Sequence, residues 1–176
     1  EAAVRMPTPP GLLGVEKGMV LKQLEAALYA SKICTYAQGM SVIAAGSRVH
    51  EWGIDEAEVC RIWKAGCIIR ARLLDDIRQV FQTSPDIRNL LLNAHISPLM
   101  LSLEKDWRDL VTSTRRAGIP TLALAASLAY FDAFRSVTLP LNLTQAQRDY
   151  FGAHTYRRID DPHGKPVHTD WQNSER

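Results

Sequence analysis

Apolar residues recur every three or four positions along most of the chain, which is the spacing of one face of an α-helix. The pattern is longest from about Gly18 to about His50 and predicts one long helix, with apolar positions at Leu21, Leu24, Leu28, Tyr29, Ile33, Tyr36, Met40 and Ile43. No segment sustains the strict alternation that is typical of a half-buried strand. We therefore predict an all-α fold of about seven helices.

Capping residues predict where further helices begin. Asp55, with Glu58 three positions later, has the form of a capping box and predicts a helix to about Ala65. The next helix is expected to pass through Leu73, Leu74, Ile77 and Phe81. Cap patterns predict other starts at Ser84–Pro85, at Ser97–Pro98 and, for a short helix to about Ala153, at Thr144 with Gln147.

The stretch from Pro120 to Val137 is apolar on nearly all sides. Only Asp132 and Arg135 are charged in it. A helix that is apolar all round is typically buried on every side. We therefore expect this helix to be the central buried helix of the fold.

The two ends of the chain differ in composition from the middle. Residues 1–14 are rich in proline and glycine and are expected to be an extended linker. Residues 15–154 form the predicted helical domain. Residues 155–176 are polar, with Pro and Gly, and taken alone would be a disordered tail. Its spaced apolar residues nevertheless predict docking on another surface; they are Tyr156, Ile159, Val167 and Trp171.

Composition and charge exclude several classes of protein. Of the 176 residues, 46% are hydrophobic and the net charge is +2, which disfavours strong binding to nucleic acid. No uncharged apolar run is long enough to predict a membrane span. The three cysteines show no metal or disulfide pattern and are expected to be buried thiols of a cytoplasmic protein. The chain begins without methionine, so we expect it to be part of a longer protein.

The histidines offer little catalytic chemistry on spacing alone. His50 and His95 are expected at helix ends, as surface or capping residues. His163 and His168 match no zinc template, so no metal site is predicted. The sequence also contains neither a G-x-S-x-G motif nor a glycine-rich phosphate loop.

The segment Gln145–Tyr156 combines an arginine and a histidine that together suit a phosphate monoester. On one continuous helix Arg148 and His154 would diverge by about 240°, so a bend at Gly152 is needed to bring both to one ligand. A structural alternative stays open, in which Arg148 pairs with Asp149 or Asp132 and His154 caps the helix.

The same segment, QAQRDYFGAHTY, closely resembles a signature near the end of the 6-phosphogluconate dehydrogenases. Further matches follow the order of that family and extend from Glu25 to Trp171. They are ALYASKICTYAQG (27–39), IWKAGCIIR (62–70), NLLL (89–92), AGIP (117–120) and VHTDW (167–171).

The resemblance implies the all-helical C-terminal domain of an NADP-dependent oxidative decarboxylase, with an extended tail. The family converts 6-phosphogluconate to ribulose 5-phosphate, carbon dioxide and NADPH in the pentose phosphate pathway and in gluconate utilization. It acts as a homodimer in which the tail of one subunit crosses the other, and Arg148 and His154 match residues that bind substrate in the partner's active site, Arg148 chiefly its phosphate.

In the family, the NADP-binding domain and the catalytic lysine and glutamate lie N-terminal to the segment that matches this chain. The resemblance therefore implies no catalytic residue in this chain and no activity of the chain alone. Lys64–Ala65, Leu141 and Asp170 depart from the usual family residues without removing a ligand-type residue.

Two alternatives remain. One is a non-enzymatic helical dimerisation module that keeps only the scaffold, against which the retained Arg148 and His154 argue. The other is a related hydroxyacid dehydrogenase, against which the long tail and VHTDW argue.

Overall fold

The computed structural model describes residues 2–6, 9, 11 and 14–173. Within them the fold is all-α, as predicted, with a 3₁₀ turn at Leu90–Leu92 and a single isolated antiparallel bridge, between Tyr156 and Val167. The helices are α1 (Ala2–Arg5), α2 (Lys17–His50), α3 (Glu56–Lys64), α4 (Leu73–Thr83), α5 (Ile96–Arg116), α6 (Leu122–Arg135) and α7 (Asn142–Gly152). The chain divides after Phe134 into two compact units.

Helix α2 is the centre of the first unit. It begins where the Glu16 carboxylate accepts hydrogen bonds from the N–H groups of Gly18 and Met19, both at 2.7 Å. Its alanines let α5 pack closely along it, and Ala27, Ala30 and Ala37 are completely buried. The long helix predicted from the apolar spacing is confirmed.

Helices α3 and α4 pack against each other beside α2. The Asp55 carboxylate accepts from the N–H of Ala57 at 2.8 Å, which confirms the predicted cap of α3. The Tyr36 hydroxyl of α2 donates to the carbonyl of Ile69 at 2.5 Å and so ties the loop before α4 to the core. Burial raises the pKa of the Cys34 thiol to about 12. Cys34 and Cys60 are buried as predicted, whereas the prediction is wrong for Cys67, which is only half-buried in the loop before α4.

Helices α5 and α6 are joined by a tryptophan and an ion pair. Trp107 is fully buried, and its indole N–H donates to the carbonyl of Leu124 at 3.3 Å. Arg108 donates to both carboxylate oxygens of Asp132, at 2.9 and 2.7 Å. This bidentate geometry holds α6 in register with α5. It also engages Asp132, one of the two acids considered as a partner of Arg148.

Three predicted helix starts are wrong. Residues 84–89 form turns rather than a helix, and α7 begins at Asn142, so Thr144 lies inside it. Helix α5 begins at Ile96, before Ser97, because the Asn93 side chain accepts from the N–H groups of His95 and Ile96. A capping side chain can thus lie earlier in the loop than the Ser-Pro pattern indicates.

The prediction that the 120–137 helix is the central buried helix is also wrong. In α6 only Ala125, Ser127, Leu128 and Phe131 are buried, whereas the Leu122 side chain is 83% exposed. The spacing of apolar residues indicates which sides of a helix are apolar, but not whether the same chain or a partner chain covers them. The central position belongs to α2.

The N-terminal segment contains one helical turn, α1, where an extended linker was predicted over residues 1–14. Pro7 and Pro10, on which that prediction partly rests, lie outside the described residues. The division at residues 14 and 154 stays a prediction. Among the described residues, no helix combines the length and apolarity needed to cross a bilayer.

Candidate functional site

The second unit consists of α7 and a tail that folds back on it. The backbone N–H of Tyr156 donates to the carbonyl of Val167 at 3.0 Å, and the reciprocal bond is 2.9 Å. The Tyr156 hydroxyl lies 2.5 Å from the hydroxyl oxygen of Thr169. The predicted apolar residues therefore have different surroundings: Tyr156 is half-buried, whereas Ile159 is 80% exposed.

Asp149 lies at the centre of this unit and is completely buried. Its Oδ1 accepts from the N–H of Thr155 and contacts Nδ1 of His168, both at 3.0 Å. Its Oδ2 accepts from the N–H of Thr169 and from the indole N–H of Trp171, also at 3.0 Å. An ionised carboxylate only accepts hydrogen bonds, so Nδ1 of His168 must carry the proton.

The surroundings of Asp149 lower the pKa of its carboxyl to about 2. Burial by itself raises this pKa, but hydrogen bonds from the Thr169 N–H, from His168 and from Trp171 outweigh burial. The carboxylate is therefore ionised throughout the physiological range and joins α7 to the tail.

We predict that tail docking is lost in acid. A carboxyl with a lowered pKa stabilises the folded form fully above its unfolded value of 3.8, and the contribution disappears as pH falls from there towards 2. The Trp171 indole N–H resonance, followed by NMR against pH, should move over this window. A resonance that shifts only near neutral pH would show that another group controls docking.

Arg148 is exposed on α7 and has no acidic partner among residues 135–173. Its Nη1 donates to the side-chain oxygen of Gln145, one turn earlier, at 3.2 Å. It does not pair with Asp149, whose carboxylate binds the tail. Asp132, the other acid considered, lies in the first unit and binds Arg108. The charge of Arg148 is therefore available to an anion from outside the unit.

His154 is exposed in the turn that follows α7. Its ring lies edge-on to Phe151, and a methyl group added at Gly152 would come within 2.7 Å of its Cδ2. The helix ends directly after Gly152, the position at which a bend is needed if Arg148 and His154 are to reach one ligand. Ala153 there has a φ of 48° and caps the helix through its own N–H. His154 therefore does not cap α7, and its ring nitrogens can reach a ligand.

The other histidines have different local surroundings. His50 ends α2 and stacks on Trp52, and His95 precedes α5, so both lie at helix ends as predicted. His163 is exposed in a turn of the tail. His168 contacts Asp149, a role that its spacing did not indicate.

One groove lies beside α7, and another lies in the first unit. A groove of about 470 Å³ lies between α7 and the tail, and its lining includes Gln145, Tyr156 and Trp171. A larger groove of about 730 Å³ follows α2 and α5, beside the ion pair of Lys22 and Asp106. Arg148 and His154 line neither of these two grooves, so groove volume does not locate the candidate site.

The sequence missed Asp149 as the organiser of this site. It was considered only as a partner for Arg148, because neighbouring opposite charges on a helix usually lie at the surface. The signal available in the sequence was a group of hydrogen-bond donors near the end of the tail. The side chains of His168 and Trp171 lie there close in sequence to the backbone N–H of Thr169.

Proteins of similar sequence and fold are described as 6-phosphogluconate dehydrogenases. Residues 3–171 match the family model of the 6-phosphogluconate dehydrogenase C-terminal domain. The chain is 47% identical over 166 residues to the chloroplastic decarboxylating 6-phosphogluconate dehydrogenase 2 of Oryza sativa, covering 93% of this chain and 32% of that protein. It is 48% identical over 157 residues to enzyme 1 of Spinacia oleracea, covering 89% and 32%.

A solved structure agrees with the sequence matches. The Plasmodium falciparum 6-phosphogluconate dehydrogenase, solved alone, with its cofactor NADP⁺ and with its substrate 6-phosphogluconate, superposes with a TM-score of 0.85 at 37% identity. The match covers 97% of this chain and 36% of that one. Fold and sequence thus define the class, an all-helical C-terminal domain of a dehydrogenase. The chain belongs to the 6-phosphogluconate dehydrogenase family and spans about a third of the length of the curated relatives that it matches.

Proposed function

We propose that this chain is the C-terminal part of an NADP-dependent oxidative decarboxylase that converts 6-phosphogluconate to ribulose 5-phosphate, carbon dioxide and NADPH. The observation that carries the proposal is the pair Arg148 and His154, exposed at the end of α7 within the segment 145–156. Both side chains present donors that no acidic group of residues 135–173 engages. The related Plasmodium enzyme binds a substrate that carries a phosphate group.

Arg148 is proposed to hold the phosphate. A phosphate monoester carries about −1.5 to −2 charges at neutral pH, and a guanidinium can donate two parallel hydrogen bonds to it. His154, in the turn after α7, would add a hydrogen bond. In this proposal neither residue reaches the reacting carbons, so both residues bind and position the substrate.

No NADP-binding residue is proposed in this chain. The sequence has no glycine-rich turn that would let a backbone approach a pyrophosphate. The cofactor and the groups that transfer protons are therefore proposed to belong to the preceding two thirds of a full-length protein. This chain contributes the helical scaffold and the substrate contacts at its end.

The proposed assembly is a homodimer in which the tail crosses the partner subunit, and Arg148 and His154, which precede the tail, serve the partner's active site. Large apolar side chains support this proposal, because they are exposed on α6 and beyond it: Leu122 (83%), Val137 (104%) and Leu143 (71%). Exposed apolar side chains of this size favour burial by a partner.

We predict that the chain sediments as a dimer. At micromolar concentration, equilibrium sedimentation should give twice the 19.7 kDa of one chain. A single 19.7 kDa species over the whole concentration range would contradict the proposed assembly.

A non-enzymatic dimerisation module would need the same scaffold but neither Arg148 nor His154. Arg148 favours the enzyme, because its guanidinium is exposed and has no acidic partner among residues 135–173. The preceding coding sequence offers a direct test. The full-length protein should form NADPH from 6-phosphogluconate, whereas the present chain alone should not. A full-length protein without this activity would favour the module.

The cytoplasmic location also stays a prediction. It rests on three free cysteines, since disulfides are rare in reducing compartments. Related plant enzymes include forms described as chloroplastic. In either compartment the proposed product, ribulose 5-phosphate, belongs to the pentose phosphate pathway.

A further inference from the structure

We infer that Asp149 is a positioning residue for substrate binding, because its buried carboxylate fixes the turn that carries His154 and the orientation of α7 that exposes Arg148. The inference rests on the proposed function and deepens it by assigning a third residue to the phosphate-binding end of α7. Asp149 itself is completely buried and acts through its neighbours.

The carboxylate bridges segments that are distant in sequence. One of its four donors, the N–H of Thr155, follows His154 directly, at 3.0 Å. The other three come from His168, Thr169 and Trp171 near the end of the tail. All four contacts have the same length, 3.0 Å, and together they use both carboxylate oxygens. Asp149 is thus the point at which α7, the turn and the returning tail meet.

The turn itself needs such support. His154 lies between two residues with left-handed backbone, Ala153 with a φ of 48° and Thr155 with a φ of 60°. This conformation is unfavourable for residues with a Cβ, and most of all for a β-branched threonine. The hydrogen bond from the Thr155 N–H to Asp149 holds the strained residue in place. Without it the backbone after Gly152 can relax and turn the His154 ring elsewhere.

The same contacts set the direction of Arg148. Consecutive residues on an α-helix point about 100° apart, so fixing Asp149 towards the tail fixes Arg148 on a neighbouring face. Arg148 is accordingly exposed whereas Asp149 is buried. A rotation of α7 against the tail would move the guanidinium together with its partner Gln145.

The site requires a carboxylate rather than an amide. All four neighbours of Asp149 donate, and an asparagine offers only one accepting oxygen. Its amino group would face a fixed donor whichever way the side chain is flipped, the N–H of Thr155 on one side or the N–H groups of Thr169 and Trp171 on the other. Asp149→Asn therefore keeps the size of the side chain and sets a donor against a donor in either orientation, which makes it the sharpest single change.

The test measures steady-state kinetics of the full-length protein with Asp149→Asn, and with Asp160→Asn as the matched control. Asp160 lies exposed in the same tail and pairs with Arg158. We expect Asp149→Asn to raise KM for 6-phosphogluconate roughly tenfold and to leave KM for NADP unchanged. The control should change neither value. A lower kcat with unchanged KM for 6-phosphogluconate would reduce Asp149 to a folding role and overturn the inference.

A second variant covers the case in which Asp149→Asn does not fold. Trp171→Phe removes one donor to the carboxylate and keeps an aromatic ring, so we expect a smaller rise in the same KM together with faster amide exchange at residues 155–169. Faster exchange with an unchanged KM would also overturn the inference.

Arg148→Ala, measured in parallel, separates this inference from the proposed function. If Arg148→Ala leaves KM for 6-phosphogluconate unchanged, the proposed function itself fails.

Discussion

Replacing Arg148 by alanine in the full-length protein should weaken binding of 6-phosphogluconate by roughly 30-fold to a few thousand-fold, which corresponds to about 2–5 kcal/mol. The guanidinium is exposed, and its partner on α7 is the neutral side chain of Gln145. The phosphate would therefore lose its strongest contact without gaining another. Because the phosphate is remote from the reacting carbons, KM should rise at least as much as kcat falls.

Three controls accompany the Arg148→Ala variant. Arg148→Lys should recover only part of the affinity, because an ammonium keeps the charge but not the two parallel donors. His154→Ala should have a smaller effect that depends more on pH, since imidazole is charged only when protonated. Gluconate, which lacks the phosphate, should be used equally poorly by the wild type and by Arg148→Ala. An unchanged KM for 6-phosphogluconate in Arg148→Ala would return Arg148 to a structural role.

Replacing Trp107 by alanine should lower the free energy of unfolding by about 3–5 kcal/mol. Trp107 is completely buried between α5 and α6. Its ring centroid lies 6.0 Å from that of Phe131, and its removal leaves a cavity that the surrounding helices fill only in part. Urea denaturation followed by far-UV circular dichroism, at a fixed protein concentration, measures this loss.

Leu101→Ala is the matched control for Trp107→Ala. Leu101 lies on the same helix, but its side chain is 59% exposed. It should cost well under about 1 kcal/mol, as is usual for surface substitutions. If the two variants lose similar amounts of stability, α5 and α6 are not packed through Trp107 in the way the structure indicates.

The sequence predicted helices best where local signals and packing agree. The bounds of α2 follow from an apolar face that α5 covers within the same chain, and the start of α3 follows from the Asp55 side chain. Helix α6 shows the limit of this reasoning. Its apolar residues predicted central burial, but a part of that surface, including Leu122, is exposed in the single chain. A pattern of apolar residues cannot distinguish a core from an interface.

The sequence proposes the residues of the candidate site but not the contacts that support them. Arg148 and His154 stand out because an arginine and a histidine occur together in a specific segment, and the bend after Gly152 could be anticipated from the helical repeat. The role of Asp149 depends on donors about twenty positions later, which meet it only because the tail reverses. Long-range contacts of this kind leave no local pattern in a sequence.

Subunit mixing tests most directly whether the tail serves a partner's active site. A full-length protein with both Arg148→Ala and His154→Ala should bind substrate poorly in either of its sites. Mixed with the present chain, it can form dimers in which one intact tail faces an intact catalytic part. The comparison is the same mixture made with a chain that carries Arg148→Ala. We expect NADPH formation to return only with the intact chain, in proportion to the mixed dimers recovered through a tag on that chain. Mixed dimers that form without restoring activity would contradict the account.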